Sequence, residues 1–132
     1  MQVTKINHLG IAVKDLETAA RVYEAMGLSV SEIVDVPEQK VRVAFIPVGE
    51  AAIELVQPTS EDSPVAGHLD KRGEGVHHLA LQVDDLSAAL AELQGQGLQL
   101  IDEAPRQGVE GKIAFLHPRS TGRVLIELVE VE

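Results

Sequence analysis

The sequence predicts an α+β fold of two tandem βαβββ modules, packed as one domain around a single metal site. Three observations carry that expectation. The 132-residue chain repeats itself at an offset of 70 positions. Each copy reads as an alternating strand, an aspartate, a helix-spaced apolar run and a glycine, followed by three more strand-like stretches. The polar residues that recur in the copies are a histidine and a glutamate, both set in apolar strands.

The repeat comes first, because overlooking one miscalls the whole architecture. Ile6-Asn7-His8-Leu9-Gly10-Ile11-Ala12-Val13-Lys14-Asp15-Leu16 overlies Val76-His77-His78-Leu79-Ala80-Leu81-Gln82-Val83-Asp84-Asp85-Leu86. His8/His78, Leu9/Leu79, Val13/Val83, Asp15/Asp85 and Leu16/Leu86 coincide. The register continues through Ala19/Ala89, Gly27/Gly97 and Leu28/Leu98, and through Val43-Ala44-Phe45-Ile46 against Ile113-Ala114-Phe115-Leu116. A three-residue insertion then moves the offset to 73, where Ile53-Glu54-Leu55-Val56 meets Ile126-Glu127-Leu128-Val129.

In order along the chain, Thr4 to Val13 alternates in character and reads as a strand. It runs into Asp15, an N-cap for the helix signalled by Leu16, Ala19, Ala20, Tyr23 and Met26. Gly27 suits the left-handed residue that ends a helix. Strands follow at 28–36, 41–48 and 51–57. The second copy repeats this with Gly75 to Val83, Asp85, then Leu86, Ala89, Leu90 and Leu93, and Gly97. Its further strands are expected at 98–103, 112–116 and 123–131. Module 1 spans about 1–62 and module 2 about 74–132, with a linker over about 58–73. Within the linker, Val65 to Lys71 is expected to form a short helix.

Composition narrows the function. At 45% hydrophobic and 24% charged, the chain has ordinary globular values. It has no apolar run of membrane-spanning length and no signal-peptide pattern, so no membrane partner and a cytoplasmic location are expected. With 0 cysteines, any metal must rest on His, Asp or Glu. A net charge of −10 and 2% aromatics argue against a nucleic-acid partner. The basic residues Lys71, Arg72, Arg106, Lys112, Arg119 and Arg123 lie in or beside Gly- or Pro-containing stretches of the second half. Singly they read as solvated loop charge; together they suit a small polyanion.

Strand side chains alternate between faces. Glu54 therefore opposes Ile53 and Leu55, Glu127 opposes Ile126 and Leu128, and each histidine opposes its apolar neighbours. One such glutamate is explained by a strand face turned to water, and one such histidine by a structural hydrogen bond. Recurrence of both at equivalent positions changes the reading. If first and last strands of each copy are neighbours, His8, Glu54, His78 and Glu127 face a common cavity. Two imidazoles and two carboxylates form a ligand set for Co, Ni, Zn, Mn or Fe(II), and leave positions for water or substrate. His77 points to the opposite face from His78 and is assigned to packing or a substrate-loop contact rather than to ligation. His68, in the linker, is expected to be solvated, and His117, before Pro118, to belong to a turn.

This duplicated pattern resembles the vicinal oxygen chelate (glyoxalase-like) superfamily across essentially the whole chain. Within it, Glu61-Asp62-Ser63-Pro64, Gly73-Glu74-Gly75-Val76-His77-His78 and Phe115-Leu116-His117-Pro118 resemble the methylmalonyl-CoA epimerase family. So do Pro37-Glu38-Gln39 and Gly122-Arg123-Val124-Leu125-Ile126-Glu127-Leu128. The resemblance implies interconversion of the C2 epimers of methylmalonyl-CoA, in propionate metabolism, by a homodimer using a divalent metal. Cobalt is favoured, with nickel, zinc and manganese as alternatives. It also implies coenzyme A phosphate binding, a use for the loop cations. Gly108 and Gly111 suit a mobile loop over the site.

One departure matters. Some family members carry a glutamate on the strand matching 41–46, proposed as a second acid/base, with glutamine at the third ligand. Here Val43 takes the first place and Glu54 the second. A two-base scheme must then use Glu127 and Glu54 as catalytic groups and metal ligands at once. The competing readings are a glyoxalase I-type lactoylglutathione lyase, which can share the ligand set, an extradiol dioxygenase, and a metal-free small-molecule-binding protein. The fourth carboxylate speaks against the dioxygenase, and retention of all four ligands against the binding protein.

Overall fold

The computed structural model describes all 132 residues. Eight strands and three α-helices follow in the order β1 (Val3–Ala12), α1 (Leu16–Ala25), β2 (Glu32–Val36), β3 (Val41–Val48), β4 (Ala51–Pro58), α2 (Pro64–Arg72), β5 (Gly75–Val83), α3 (Leu86–Gly95), β6 (Arg106–Gln107), β7 (Gly111–Phe115) and β8 (Ile126–Val131). The chain packs as two compact units. One is His8–His77; the other joins Met1–Asn7 to His78–Glu132, so its boundary is not that of the repeat. Strand β1 supplies its opening residues to one unit and the remainder to the other.

In the His8–His77 unit the strand order is β2-β3-β4-β1. β1 and β4 run parallel, and β3 is antiparallel to both β2 and β4. One face is packed by α1 through Leu16 and Ala20, against Ala44, Ile46 and Leu55. The opposite face carries Ala12, Val36, Val41, Val43, Phe45 and Val56, and α2 adds Val65 and Leu69 to it. In the other unit the order is β1-β5-β8-β7-β6, with Asp84 N–H donating to Gln2 O at 3.2 Å where β1 begins. β5 and β8 are parallel, and β7 is antiparallel to β6 and β8. Helix α3 covers one face through Leu86, Ala89 and Leu90, against Ala114, Leu116 and Leu128. Each copy is thus the βαβββ module expected from the repeat, and the fold is α+β.

The helix ends match the sequence reading closely. Asp15 caps α1 by accepting from Thr18 N–H, and Asp85 caps α3 by accepting from Ala88 N–H, both at 3.0 Å. Gly27 and Gly97 each adopt φ 90°, a left-handed conformation that costs glycine little. The N–H groups of Leu28 and Leu98 then reach back to Tyr23 O and Leu93 O, both at 3.1 Å. These bonds close the two helices with the same six-residue motif.

Three expectations need correction. The stretch 98–103 forms only an isolated bridge, Leu100 with Leu116, and 28–36 is strand only from Glu32. Leu98 and Leu100 pack beneath α3, as their repeat equivalents Leu28 and Val30 pack beneath α1. Their alternation records that anchoring. The last strand begins at Ile126, because Gly122 and Arg123 both have positive φ, 66° and 72°, and hold a turn. Apart from these three strands, Gly108 and Gly111 lie in a tight hairpin between β6 and β7, closed by Gly108 N–H to Gly111 O at 2.7 Å. A Cβ on Gly111 would lie 2.2 Å from Glu130 O. Close packing therefore requires glycine there, whatever the loop's motion.

Candidate metal centre

In the His8–His77 unit, the parallel register sets Gly10 directly beside Glu54, and β3 sets Phe45 on its other side. His8 lies two residues before Gly10 and so shares its face. With no side chain at Gly10, the Glu54 carboxylate can lean toward the histidine, and His8 Nδ1 lies 2.9 Å from Glu54 Oε2. Both residues are buried, at 5% and 8% exposure. The water-facing explanation of Glu54 fails, since its face is the apolar one roofed by α2. Val43 is buried on that same face, at 5% exposure.

The other unit repeats the arrangement. Ala80 stands beside Glu127 in β5, and Phe115 flanks it in β7. His78, two residues before Ala80, places Nε2 at 3.2 Å from Glu127 Oε1. Both are buried, at 8% and 6% exposure. The sequence thus pairs each histidine with its own glutamate, across a small residue and beside a phenylalanine.

Four buried ionisable side chains in apolar surroundings need strong compensation. Hydrogen bonding within each pair provides part of it. The spacing also suits a shared cation. Two ligand atoms about 2.1 Å from one ion and at right angles to each other lie about 3.0 Å apart. The His–Glu separations of 2.9 and 3.2 Å bracket that value. Imidazole nitrogen with carboxylate oxygen is a donor set for a divalent first-row metal.

The remaining histidines separate from this set. His77 packs edge-on against His68, with ring centroids 4.9 Å apart. His68 lies in α2 and is half-buried, not solvated. That burial, and then the Arg72 charge, hold its pKa below the usual histidine value. His117 caps the 3₁₀ turn Pro118–Ser120, its Nδ1 accepting from Arg119 N–H at 3.0 Å. Lys71, Arg72, Arg106, Lys112, Arg119 and Arg123 are all exposed.

Sequence reasoning missed one feature beside the site. Phe115 meets the His78 ring edge-on at 6.0 Å, and the Arg106 guanidinium lies 5.5 Å from the Phe115 centroid. The Phe45/Phe115 coincidence in the repeat was its visible trace; Arg106 has no equivalent in the first copy to mark it.

The fold, the duplicated strand pairs and their buried His–Glu pairs define a class. The chain belongs to the Glyoxalase/Bleomycin resistance protein/Dioxygenase superfamily, whose family model matches residues 7–115. Among its relatives, the mitochondrial methylmalonyl-CoA epimerase of Homo sapiens is 42% identical over 127 residues, covering 94% of this chain and 72% of that one. An uncharacterized protein of Bacillus subtilis is 45% identical over 130 residues, covering 97% and 93%. A solved methylmalonyl-CoA epimerase, in complex with methylmalonyl-CoA and NH4+, superposes with a TM-score of 0.93 at 38% identity, over 98% of this chain and 96% of that one.

Proposed function

We propose that this protein is a metal-dependent methylmalonyl-CoA epimerase, interconverting the two C2 epimers of that thioester. The observation that carries the proposal is the twin buried His–Glu pair, in a chain 42% identical to the human epimerase. The buried His8, His78 and Glu127 are candidate ligands, and Glu54 completes the set. They hold one divalent ion in this reading, with cobalt favoured and nickel, zinc or manganese as alternatives. Such an ion would supply Lewis-acid stabilisation of the negative charge that develops on the thioester oxygen as the C2 proton leaves.

The chain's own residues do the rest. Each glutamate lies against its histidine, Glu54 Oε2 at 2.9 Å from His8 Nδ1 and Glu127 Oε1 at 3.2 Å from His78 Nε2, which orients the carboxylate. Glu127 takes the C2 proton from one face of the substrate, and Glu54 returns one from the other, inverting the centre. Val43 supplies no carboxylate, so both glutamates serve as ligand and proton carrier. His8 and His78 hold and orient. Phe45 and Phe115 exclude water from the glutamates they flank. The reading carries with it a homodimeric, cytoplasmic enzyme.

Proton exchange tests it. One C2 epimer of methylmalonyl-CoA is incubated in D2O with metal-loaded and with chelator-stripped protein. The expected result is metal-dependent deuterium uptake at C2 together with racemisation. Absence of exchange, with turnover of the glutathione–methylglyoxal hemithioacetal instead, would move the assignment to a glyoxalase.

A further inference from the structure

Helix α2 turns into β5 through only two residues, Gly73 and Glu74. Both are fixed: Gly73 N–H donates to Leu69 O at 2.8 Å, and Glu74 Oε2 accepts the Lys14 N–H, also at 2.8 Å. This short turn brings His68 of α2 against His77 at the opening of β5, with ring centroids 4.9 Å apart and ring planes at 75°. His68 lies beside Leu69 and three residues beyond Val65, the two residues through which α2 roofs the His8–Glu54 face. His77 alternates with His78 and points to the other side of β5. The pair therefore stands outside the centre described above, at the base of its roof.

Edge-on ring packing alone accounts for the distance, since it allows about 4.5–7 Å. It does not account for the nitrogens. Neither ring nitrogen of His68 makes a hydrogen bond or ion pair within the protein, although the side chain is half-buried. Burial holds its pKa below the usual histidine value, so the ring is neutral at pH 7 and keeps a lone pair for a ligand. The spacing suits one shared ion. With a metal about 2.1 Å from each nitrogen, and so about 3.2 Å from each ring centre, two imidazoles have centroids about 4.5 Å apart at a right angle and about 5.2 Å apart at the tetrahedral angle. The observed 4.9 Å lies between these values. The angle between the planes sets no obstacle, because each ring can rotate about its metal–nitrogen bond.

We propose that His68 and His77 form a second site for a divalent transition metal, separate from the His8, Glu54, His78 and Glu127 centre. Paired imidazoles suit Zn, Co, Ni or Cu, with water completing the coordination. The Arg72 charge acts on His68 and opposes any cation there. With two protein donors against four, and that charge beside it, this site binds more weakly than the first. Its ion ties α2 to the start of β5, so metal supply above that needed by the centre decides how readily the roof lifts.

The test uses chelator-stripped protein without a histidine tag, titrated with Zn2+ by calorimetry. Wild type should take up two equivalents per chain, the second more weakly than the first. H68F, which keeps the edge-on ring and removes both nitrogens, should take up one equivalent, and so should H77Q. H8A should weaken the first equivalent and leave the second. Imidazole nitrogen NMR signals of His68 and His77 should shift with the second equivalent. Free Zn2+ at about ten times the second dissociation constant should slow hydrogen exchange of the α2 amides about tenfold in wild type and not in H68F. None of these readouts needs turnover. A single equivalent in wild type would overturn the proposal, as would a second equivalent that survives both H68F and H77Q. Unshifted His68 nitrogens, or α2 exchange indifferent to the second equivalent, would overturn it as well.

Discussion

In the unit of His8–His77, the strand face that bears His8 and Glu54 is lined by Ala12, Val41, Val43, Phe45 and Val56, and α2 closes over it with Val65 and Leu69. In the other unit, the equivalent face bears His78 and Glu127, but its apolar lining shrinks to Ala80, Ile113, Val129 and Phe115. No helix covers that second face within its own unit. Polar groups gather there instead: Asn7 Nδ2 donates to Gln82 Oε1 at 3.1 Å and to Glu110 Oε2 at 3.4 Å, and Arg106 lies over Phe115. The pairing of strands is identical in the two units and the linings are not. Parallel register, with a small residue beside each glutamate, is enough to place each His–Glu pair. The remainder of each face was free to diverge, one toward an apolar lining covered by a helix and the other toward a shorter apolar lining with polar groups.

The strongest way to break the equivalence is to remove one carboxylate at a time. Glu54→Gln and Glu127→Gln keep an oxygen at the proposed ligand position and remove the proposed base. Each should reduce epimerisation by about 10²- to 10⁴-fold while metal content, read by elemental analysis, stays near wild type. His8→Ala or His78→Ala should instead weaken metal binding at least about tenfold. Deuterium uptake from each pure epimer then separates the two glutamates. Each Gln variant should still exchange the epimer served by the remaining glutamate while failing to invert it. Equal loss of exchange from both epimers in both variants would sink the division of labour between faces.

Smaller effects test the scaffold. Gly111→Ala drives a Cβ to 2.2 Å from the Glu130 carbonyl oxygen, against backbone that cannot swing aside. It should cost about 1–3 kcal/mol, as overpacking does. Gly97→Ala meets no atom within 4 Å and suffers only from its φ of 90°, so about 1 kcal/mol is expected. Urea denaturation of the two variants should rank them in that order. A reversed ranking would show that the β7–β8 approach is softer than its geometry implies.

The buried His–Glu pairs were legible in the sequence because the chain states them twice. A buried glutamate in one strand has an ordinary explanation; the same glutamate at the same place in a second copy, with its histidine, does not. Helix ends were legible for a local reason, since Asp15, Asp85, Gly27 and Gly97 act within a few residues of themselves. Failures came where alternation served packing without a ladder, as at Leu98 and Leu100, and where two positive-φ residues, Gly122 and Arg123, delayed a strand. The two-residue strand Arg106–Gln107 leaves no periodic trace at all. The roof formed by α2 and the stacking of Arg106 on Phe115 depend on contacts between distant segments, which no local pattern encodes.

The smallest expected difference lies between the two helix caps. Asp85 accepts one bond, from Ala88 N–H at 3.0 Å. Asp15 accepts from Thr18 N–H at 3.0 Å and from the Thr18 hydroxyl at 2.6 Å, both through Oδ2. The hydroxyl first, and then the backbone N–H, hold the Asp15 carboxyl below its ordinary value of 3.8. Because the folded pKa lies below the unfolded one, the stabilisation is fully present above the unfolded value and is lost as pH falls through the folded one. Asp85→Ala should cost about 1 kcal/mol at neutral pH. Asp15→Ala should also destabilise at neutral pH, and its deficit relative to wild type should close on acidification from about pH 7 to about pH 2.5. Thr18→Ala gives the first cap the chemistry of the second, since alanine already stands at position 88, and should shrink the pH-dependent part of that deficit. Urea midpoints at several pH values decide the matter. An Asp15→Ala deficit that is constant with pH would mean that the carboxylate charge contributes nothing at this helix end, and that the two caps differ only in shape.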